Sequence, residues 1–165
     1  MSLQGKIYTK YVMALNKIVR AALKPNVEYN NINDIDLTEI KILKSEYGIG
    51  GMILDVDGTI LHELEYIPTS VLKTLKLLNQ EFKIYLVSNN KNERIAEFAK
   101  KLGIGYMPFA FKPRRKPFIK ASFEMGLEPE NVMVVGDGFL TDILGGQRMG
   151  MVTGAVKDVD TTPER

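Results

Sequence analysis

The sequence predicts a doubly wound, Rossmann-like α/β fold with a five-stranded parallel sheet. From residue 50 onward, short apolar runs alternate with segments of helical periodicity, which is the pattern of strands joined by crossover helices. Gly103 and Gly126 lie where two of these helices should end. The chain has 165 residues, of which 45% are hydrophobic and 25% charged, as in an ordinary globular domain.

An amphipathic helix precedes this pattern. Apolar residues recur at spacings of three and four between residues 8 and 23, and Pro25 follows. We therefore predict a basic amphipathic helix over residues 1–24 and a single domain over residues 25–165. The segment 25–49 gives the weakest signal and predicts only turns and a short helix around Leu37–Lys44.

Five apolar runs are the predicted strands, and right-handed crossovers between them would place helices on both faces of the sheet. The runs are Gly51–Leu54, Ile84–Val87, Tyr106–Phe109, Val132–Val135 and Met151–Val156, and the helical segments between them span residues 69–80, 92–102, 116–125 and 141–149. The sequence contains no internal repeat and no linker long enough to separate a second folded domain.

The composition excludes several kinds of chemistry. The chain has no cysteine and one histidine, which excludes disulfides, thiolate metal centres and His-rich metal sites. Carboxylates, hydroxyls and lysines are left to carry any reaction. The net charge of +2 is unevenly distributed, because residues 1–27 contain five basic residues and no acidic one, so the remainder is mildly acidic.

The sequence has no apolar run of the roughly 18 residues that a membrane-spanning helix needs. The N-terminal residues also lack the apolar core and small-residue cleavage site of a secretory signal. We therefore expect a cytoplasmic location.

Polar side chains follow four of the five predicted strands. Ligands in open α/β sheets bind at the carboxyl ends of the strands, so these residues are the candidates for a functional site. Asp55, Asp57 and Thr59 follow the first strand, Ser88 and Asn89 the second, Lys112 the third, and Asp137 and Asp142 the fourth.

The aspartates indicate a magnesium site. Asp55 and Asp57 lie two residues apart where the chain leaves its strand, so their carboxylates can converge with that of Asp137 from a neighbouring strand. Converging carboxylates repel one another and need a cation. Oxygen ligands without His or Cys favour a hard ion such as Mg²⁺, which binds carboxylates, waters and a substrate phosphate.

Lys112 and Ser88 extend this prediction to a phosphate. The lysine offers a positive charge and the serine a hydroxyl to phosphate oxygens. Together with a metal, they would let an anionic nucleophile approach an anionic phosphate, so the sequence predicts a phosphoryl-transfer centre.

The strand-end motifs resemble the four motifs of the haloacid dehalogenase-like phosphatases. More narrowly, the sequence resembles the YqeG family of subfamily IIIA, whose relatives include mitochondrial phosphatidylglycerophosphate phosphatases, over about residues 23–157. Gly58 departs from the asparagine that YqeG-type sequences often carry, although glycine is usual in the wider superfamily. The motifs are Asp55-Val56-Asp57-Gly58-Thr59, Ser88, Lys112, and Gly136-Asp137 with Asp142.

The resemblance implies a Mg²⁺-dependent phosphomonoesterase. Asp55 would be the nucleophile that forms an aspartyl-phosphate, and Asp57 would be the general acid and then the general base. The resemblance assigns Mg²⁺ to Asp55, the Asp57 backbone carbonyl and Asp137, with Asp142 behind these ligands or on a bound water. It assigns the phosphoryl group to Ser88 and Lys112, assisted by Asn89, with Thr59 orienting the first loop.

The lysine role has a second candidate in Lys116. The Lys112-Pro113 pair lies nine residues before Ala121, at the spacing typical of the family's lysine motif before a helix, so we favour Lys112. Many of these phosphatases carry a cap domain inserted near the first or third motif. The short stretches from Thr59 to the next helix and from Ser88 to Lys112 predict that this chain has none.

The substrate is left open by the sequence. Relatives imply phosphatidylglycerophosphate, and other phosphorylated small molecules or lipids fit equally. The basic helix predicts peripheral contact with an anionic membrane, or it buries its apolar stripe on the sheet. We expect no nucleic-acid partner, because the domain is acidic and lacks a base-reading motif. The alternative function is a phosphate-binding or phospho-aspartate regulatory module with little turnover.

Overall fold

A six-stranded parallel sheet forms the centre of the fold. The computed structural model describes residues 3–62 and 66–159, and within them every strand pairing of the sheet is parallel. The strands are β1 (Val27–Tyr29), β2 (Gly51–Leu54), β3 (Lys83–Val87), β4 (Gly105–Met107), β5 (Val132–Gly136) and β6 (Val152–Val156), in the spatial order β1-β6-β5-β2-β3-β4.

The prediction of five strands is wrong by one, and the additional strand is β1. It has three residues, Val27 to Tyr29, of which only Tyr29 is fully buried. A run this short carries no readable alternation of apolar and polar residues. Strand β1 lies along the edge of the sheet next to β6, and Val27 pairs there with Gly154.

Six α-helices accompany the strands in the described residues. Gly103 and Gly126 end two of them in left-handed conformations, with φ of 68° and 69°, which confirms their predicted role as helix stops. The helix predicted over 141–149 is divided into a π-helical segment, Phe139–Ile143, and a short α-helix. The helices are α1 (Leu3–Ala22), α2 (Leu37–Ser45), α3 (Thr69–Glu81), α4 (Glu93–Leu102), α5 (Arg115–Met125) and α6 (Leu144–Arg148).

Helices cover both faces of the sheet, as predicted. Alternate residues of one strand enter different cores because side chains of a strand point to opposite faces. In β2, Met52 and Leu54 join the core formed with α2, α3 and α4, and Ile53 joins the core beneath α5. The domain is therefore a three-layer α/β/α structure.

Helix α1 contacts the domain through its C-terminal end. Val19 and Leu23 pack against the cluster of Phe139, Ile143 and Ala155, and the Arg20 guanidinium lies 4.8 Å from the centre of the Phe139 ring. Toward the N-terminal side of these contacts, Tyr11 and Ile18 are 73% and 66% exposed.

The division into a helix at 1–24 and a domain at 25–165 stays a prediction, and residues 1–2, 63–65 and 160–165 lie outside the described part. Within that part, no helix has both the length and the apolar character required to cross a bilayer.

Strand β2 occupies the position where the strand order reverses. It pairs with β3 on one side and with β5 on the other, because the chain first builds outward through β3 and β4 and then returns across β2. Crevices at such positions, outside the carboxyl ends of the strands, bind ligands in α/β sheets. The residues that follow β2, β3 and β5 therefore meet at one edge of the sheet.

Candidate active site

Asp55 lies directly after β2 at the centre of this edge. Its backbone N–H donates to the Val135 carbonyl at 2.9 Å, which extends the sheet by one residue and fixes where the side chain emerges. The side chain is largely buried. The Thr59 hydroxyl donates to Asp55 Oδ2 at 3.3 Å, so Thr59 orients Asp55.

Lys112 bridges Asp55 and Asp142. Its ammonium donates to Asp55 Oδ1 at 2.7 Å, to Asp142 Oδ1 at 2.6 Å and to the Val87 carbonyl at 2.9 Å. These three acceptors match the three N–H donors of an ammonium. The two carboxylates raise the pKa of Lys112 against the opposing effect of its burial, so this buried lysine is a fixed positive charge.

The structure brings Lys112, rather than Lys116, into the site. Lys112 is 6% exposed, whereas Lys116 is an exposed residue in the first turn of α5. The loop reaches inward because the Asn89 side chain holds the Lys112 backbone from both sides. Asn89 Oδ1 accepts from the Lys112 N–H at 2.7 Å, and Asn89 Nδ2 donates to the Lys112 carbonyl at 3.3 Å.

Three carboxyl groups meet beside this lysine. One ligand oxygen from each of Asp55, Asp137 and Asp142 lies within 4.8 Å of the others. Asp142 takes the place in this cluster that we expected for the carboxylate of Asp57. It lies on the π-helical segment Phe139–Ile143, is 1% exposed and accepts a hydrogen bond from the Gly138 N–H at 3.2 Å.

The cluster has more negative charge than Lys112 can balance. Burial, a hydrogen bond to Asp55 and the charge of Asp55 raise the pKa of Asp137 to about 8. Burial and the Asp55 charge raise the pKa of Asp142 to about 7, although Lys112 opposes the shift. A proton on these groups relieves repulsion that a divalent cation would relieve instead. The donor set, all oxygen, fits Mg²⁺.

Asp57 belongs to a second, more accessible group. It is half-buried, and its Oδ2 accepts from the Asn90 amide at 2.8 Å and from the Ser88 hydroxyl at 3.4 Å. Ser88 is 2% exposed and also caps the turn by accepting from the Asn90 N–H at 3.1 Å. Among the described residues, Asp57 is thus held by the neutral donors Ser88 and Asn90, and no salt bridge to it is formed there.

Asn90 is a site residue that the sequence places after the second predicted strand but to which the prediction assigned no role. It stands beside Ser88 and Asn89 in one polar run, so the run itself was the available signal. The Asn90 side chain turns toward Asp57, and the Asn89 side chain turns toward Lys112. This assignment depends on the direction of the chain after β3, which the sequence does not specify. The roles of Ser88, Asn89 and Thr59 toward a phosphate stay predictions.

Two glycines allow the carboxylates to come this close. Gly58 has φ of +79°, and a Cβ there would overlap the Asp137 carboxylate. A Cβ on Gly136 would overlap the Asp142 carboxylate. The absence of side chains at these positions therefore creates the space in which Asp137 and Asp142 approach Asp55.

The loop after β4 also carries two exposed aromatic residues. The strand predicted to extend to Phe109 ends at Met107, and Phe109 and Phe111 adopt positive φ of 48° and 58°. Their side chains alternate with the buried Ala110 and Lys112 and are 56% and 63% exposed.

The fold and the buried carboxylates with their lysine define the class of protein. A family model described as haloacid dehalogenase-like hydrolase matches residues 62–150, which is more than half of the chain. This chain belongs to that hydrolase family. The match includes Ser88, Lys112, Asp137 and Asp142 and begins just after Asp55 and Asp57. The predicted resemblance to this family is confirmed.

One curated relative narrows the comparison. The probable phosphatase YqeG of Bacillus subtilis (strain 168) is 34% identical over 110 residues, which cover 66% of this chain and 64% of the relative. The match therefore spans slightly less than two thirds of that protein's length. It confirms the YqeG-type resemblance stated from the motifs.

Solved structures share the fold at low sequence identity. NagD from E. coli K-12 superimposes with a TM-score of 0.54 at 14% identity, covering 71% of this chain and 94% of that chain. A putative 3-deoxy-D-manno-octulosonate 8-phosphate phosphatase from Vibrio cholerae gives a TM-score of 0.50 at 16% identity, covering 75% of this chain and 82% of that chain.

Proposed function

We propose that this protein is a Mg²⁺-dependent phosphomonoester hydrolase that forms an aspartyl-phosphate on Asp55. The observation that carries the proposal is the buried lysine that joins Asp55 to Asp142 at the carboxyl ends of the strands, with Asp137 in the same cluster. An ion pair that only stabilised the fold would need no third carboxyl group, whereas here Asp137 lies in the same cluster and has a raised pKa.

Asp55, Asp137 and the Asp57 backbone carbonyl would hold the Mg²⁺. Asp142 would act through Lys112, because its carboxylate is hydrogen-bonded to that ammonium. When bound, the metal supplies positive charge that reduces repulsion between the nucleophile and the phosphate. The raised pKa of Asp137 supports this assignment, since a cation would replace its proton.

Asp55 and Asp57 would carry the two chemical steps. In the first, an Asp55 carboxylate oxygen bonds to phosphorus, the bond from phosphorus to the leaving oxygen breaks, and Asp57 gives that oxygen a proton. In the second, Asp57 takes a proton from water and the water oxygen bonds to phosphorus. The bond between phosphorus and Asp55 then breaks, which releases inorganic phosphate and restores Asp55.

Lys112 would keep Asp55 in place and stabilise charge on the phosphoryl oxygens. Its contacts to Asp55 and Asp142 are already formed, so little reorganisation is needed as charge develops. Ser88 lies within hydrogen-bonding distance of Asp57. Its hydroxyl, assisted by Asn89 and Thr59, would bind the phosphoryl group.

The proposed substrate is a phosphomonoester on a small molecule or a lipid, with phosphatidylglycerophosphate as one candidate. The site has no predicted cap domain, so a large substrate could reach it. The proposed location is cytoplasmic, with peripheral contact to an anionic membrane through α1. That helix has no acidic residue, and Lys10, Lys17 and the apolar Ile18 are exposed on it.

Membrane contact is tested by vesicle co-sedimentation. Charge reversal in Lys10→Glu/Lys17→Glu is expected to release the protein from vesicles containing anionic lipid, and Lys100→Glu/Lys101→Glu on α4 is the matched control. Equal binding by all three proteins, or binding to neutral vesicles alone, would remove α1 and its charge from the proposal.

The hydrolase is tested by phosphate release from a panel of phosphomonoesters that includes phosphatidylglycerophosphate. We expect turnover with Mg²⁺, none with EDTA, and none in the isosteric variant Asp55→Asn. Full activity in Asp55→Asn would contradict the nucleophile assignment. Stable phosphorylation of Asp55 by a small phosphodonor, without turnover, would instead favour the regulatory module.

A further inference from the structure

A cavity of about 300 Å³ lies between the loop after β4 and the first turns of α5. This volume is at the lower end of the range for small-molecule sites. Phe109 and Phe111 form its aromatic wall, and Arg114, Lys116 and Lys120 form its basic wall. The cavity thus offers an apolar surface and several positive charges together.

The aromatic wall is held in an unfavourable conformation. Positive φ at Phe109 and Phe111 is uncommon for bulky residues and costs about 1–3 kcal/mol at each position. Burial does not offset this cost, because both rings are more than half exposed. Strained residues of this kind cluster at binding and catalytic sites.

The loop that lines the cavity is connected to residues of the crevice. The Phe109 N–H donates to the Asn90 carbonyl at 3.4 Å, and the Asn90 amide donates to Asp57, the proposed acid for the leaving oxygen. Phe111 precedes Lys112 in the chain. The aromatic wall is therefore linked to Asp57 through one residue, Asn90, and is directly bonded to Lys112.

The basic wall is not needed for the reacting phosphate, which already has Lys112. Arg114 lies 5.4 Å from the centre of the Phe111 ring, so it combines a charge with the apolar surface. Lys120 is 3.9 Å from Glu124, which offsets part of its charge, and Lys116 adds a further exposed cation. These charges suit a second anionic group.

We propose that this cavity binds the leaving group of the substrate, and that this leaving group combines an apolar portion with a second anionic group. The inference rests on the proposed hydrolase function. Phe109 and Phe111 would contact the apolar portion, and Lys116 and Lys120 would attract the anion.

The test compares benzyl phosphate with 4-carboxybenzyl phosphate, which differ by one anionic group remote from the scissile bond. We expect kcat/KM to be about fivefold higher for the carboxylated substrate. The ratio should fall to about one in Lys116→Gln/Lys120→Gln and should not change in the control, Lys100→Gln/Lys101→Gln. An unchanged ratio in Lys116→Gln/Lys120→Gln would overturn the proposal.

The aromatic wall is tested separately with Phe111→Gly. Glycine accepts positive φ, so the free energy of unfolding should be maintained or increased while KM rises for both benzyl substrates. A purely structural role for Phe111 predicts the reverse, with lower stability and unchanged KM.

A binding measurement separates failure of this inference from failure of the proposed function. Calorimetric titration of the full chain with 4-carboxybenzylphosphonate and benzylphosphonate, in the presence of Mg²⁺, requires no turnover. Tighter binding of the carboxylated compound, lost in Lys116→Gln/Lys120→Gln, would support the cavity even if no phosphomonoester were hydrolysed. Equal binding of the two compounds would overturn the inference.

Discussion

The two proposed reacting carboxylates occupy contrasting surroundings although they are two residues apart. Asp55 lies in a buried group whose charges are joined by Lys112. Asp57 is half-buried and accepts hydrogen bonds only from the neutral donors Ser88 and Asn90 among its described contacts. Burial makes the first group sensitive to any unbalanced charge. Accessibility leaves the second free to exchange protons with substrate and water.

The largest expected effect comes from removing the Lys112 ammonium from the buried group. Lys112→Met leaves buried carboxylates without a partner, which typically costs about 3–5 kcal/mol. The loss should be greater at pH 8 than at pH 5, because protonation relieves the repulsion at the lower pH. Urea unfolding at both pH values measures this loss of free energy of unfolding. Equal losses at pH 5 and pH 8 would show that charge is not the cause.

Removing the accessible carboxylate should affect activity alone. Asp57→Asn keeps the size of the side chain but can neither give nor take the required proton, so we expect kcat to fall by about 10²–10⁴-fold. The free energy of unfolding should change by less than about 0.5 kcal/mol. A destabilisation comparable to that of Lys112→Met would remove the distinction between the two groups.

Magnesium should stabilise the protein more at high pH. The folded-state pKa values of Asp137 and Asp142, about 8 and about 7, lie above the ordinary value of 3.8. Their protonated forms favour folding, and this stability is lost as pH rises from about 4 through 8. Mg²⁺ at 100 times its Kd would restore about 2.7 kcal/mol.

Thermal unfolding with and without Mg²⁺ at pH 5.5 and pH 8.5 measures this linkage. The increase in Tm should be larger at pH 8.5, where the metal no longer competes with protons. Asp137→Asn is the matched control and should abolish the metal effect. A Tm increase of equal size at both pH values would argue against Asp137 as a ligand.

A smaller effect is expected from the glycine that faces Asp137. Gly58→Ala introduces a Cβ that displaces the Asp137 carboxylate, and we expect Mg²⁺ affinity to fall about tenfold, equivalent to 1.4 kcal/mol. Gly103→Ala is the control, because Gly103 also has positive φ, at +68°, but no atom within 4 Å of an added Cβ. Equal Mg²⁺ affinity in the two variants would show that a Cβ at position 58 does not displace the Asp137 carboxylate.

The central strands were predictable because burial on both faces produces continuous apolar runs. β2 has the predicted bounds, and β3 and β5 differ from them by one residue. The strand-end rule then predicted Asp55, Lys112 and Asp137. The edge strand β1 was not predicted, because its pairing with β6 depends on tertiary contact rather than on the pattern of its own three residues.

Side-chain direction was the less predictable part of the site. Asp57 and Asp142 both lie at predicted strand ends, yet Asp142 joins the carboxylate cluster and Asp57 turns toward Asn90. Asp142 lies on the π-helical turn at 139–143 and accepts from the Gly138 N–H, whereas Asp57 lies in the loop after β2. A pattern of apolar and polar residues specifies where a chain leaves a strand but not how the following turn is wound.

The saturated ammonium of Lys112 has a consequence for chemical labelling. Acylating reagents attack the neutral amine, and Lys112 is kept protonated, buried and hydrogen-bonded to three acceptors. Exposed lysines such as Lys100 and Lys101 should be acylated rapidly, whereas Lys112 should react only when its carboxylate partners separate. The acylation rate of Lys112, followed by peptide mass spectrometry, would therefore report how often the interior of the site opens.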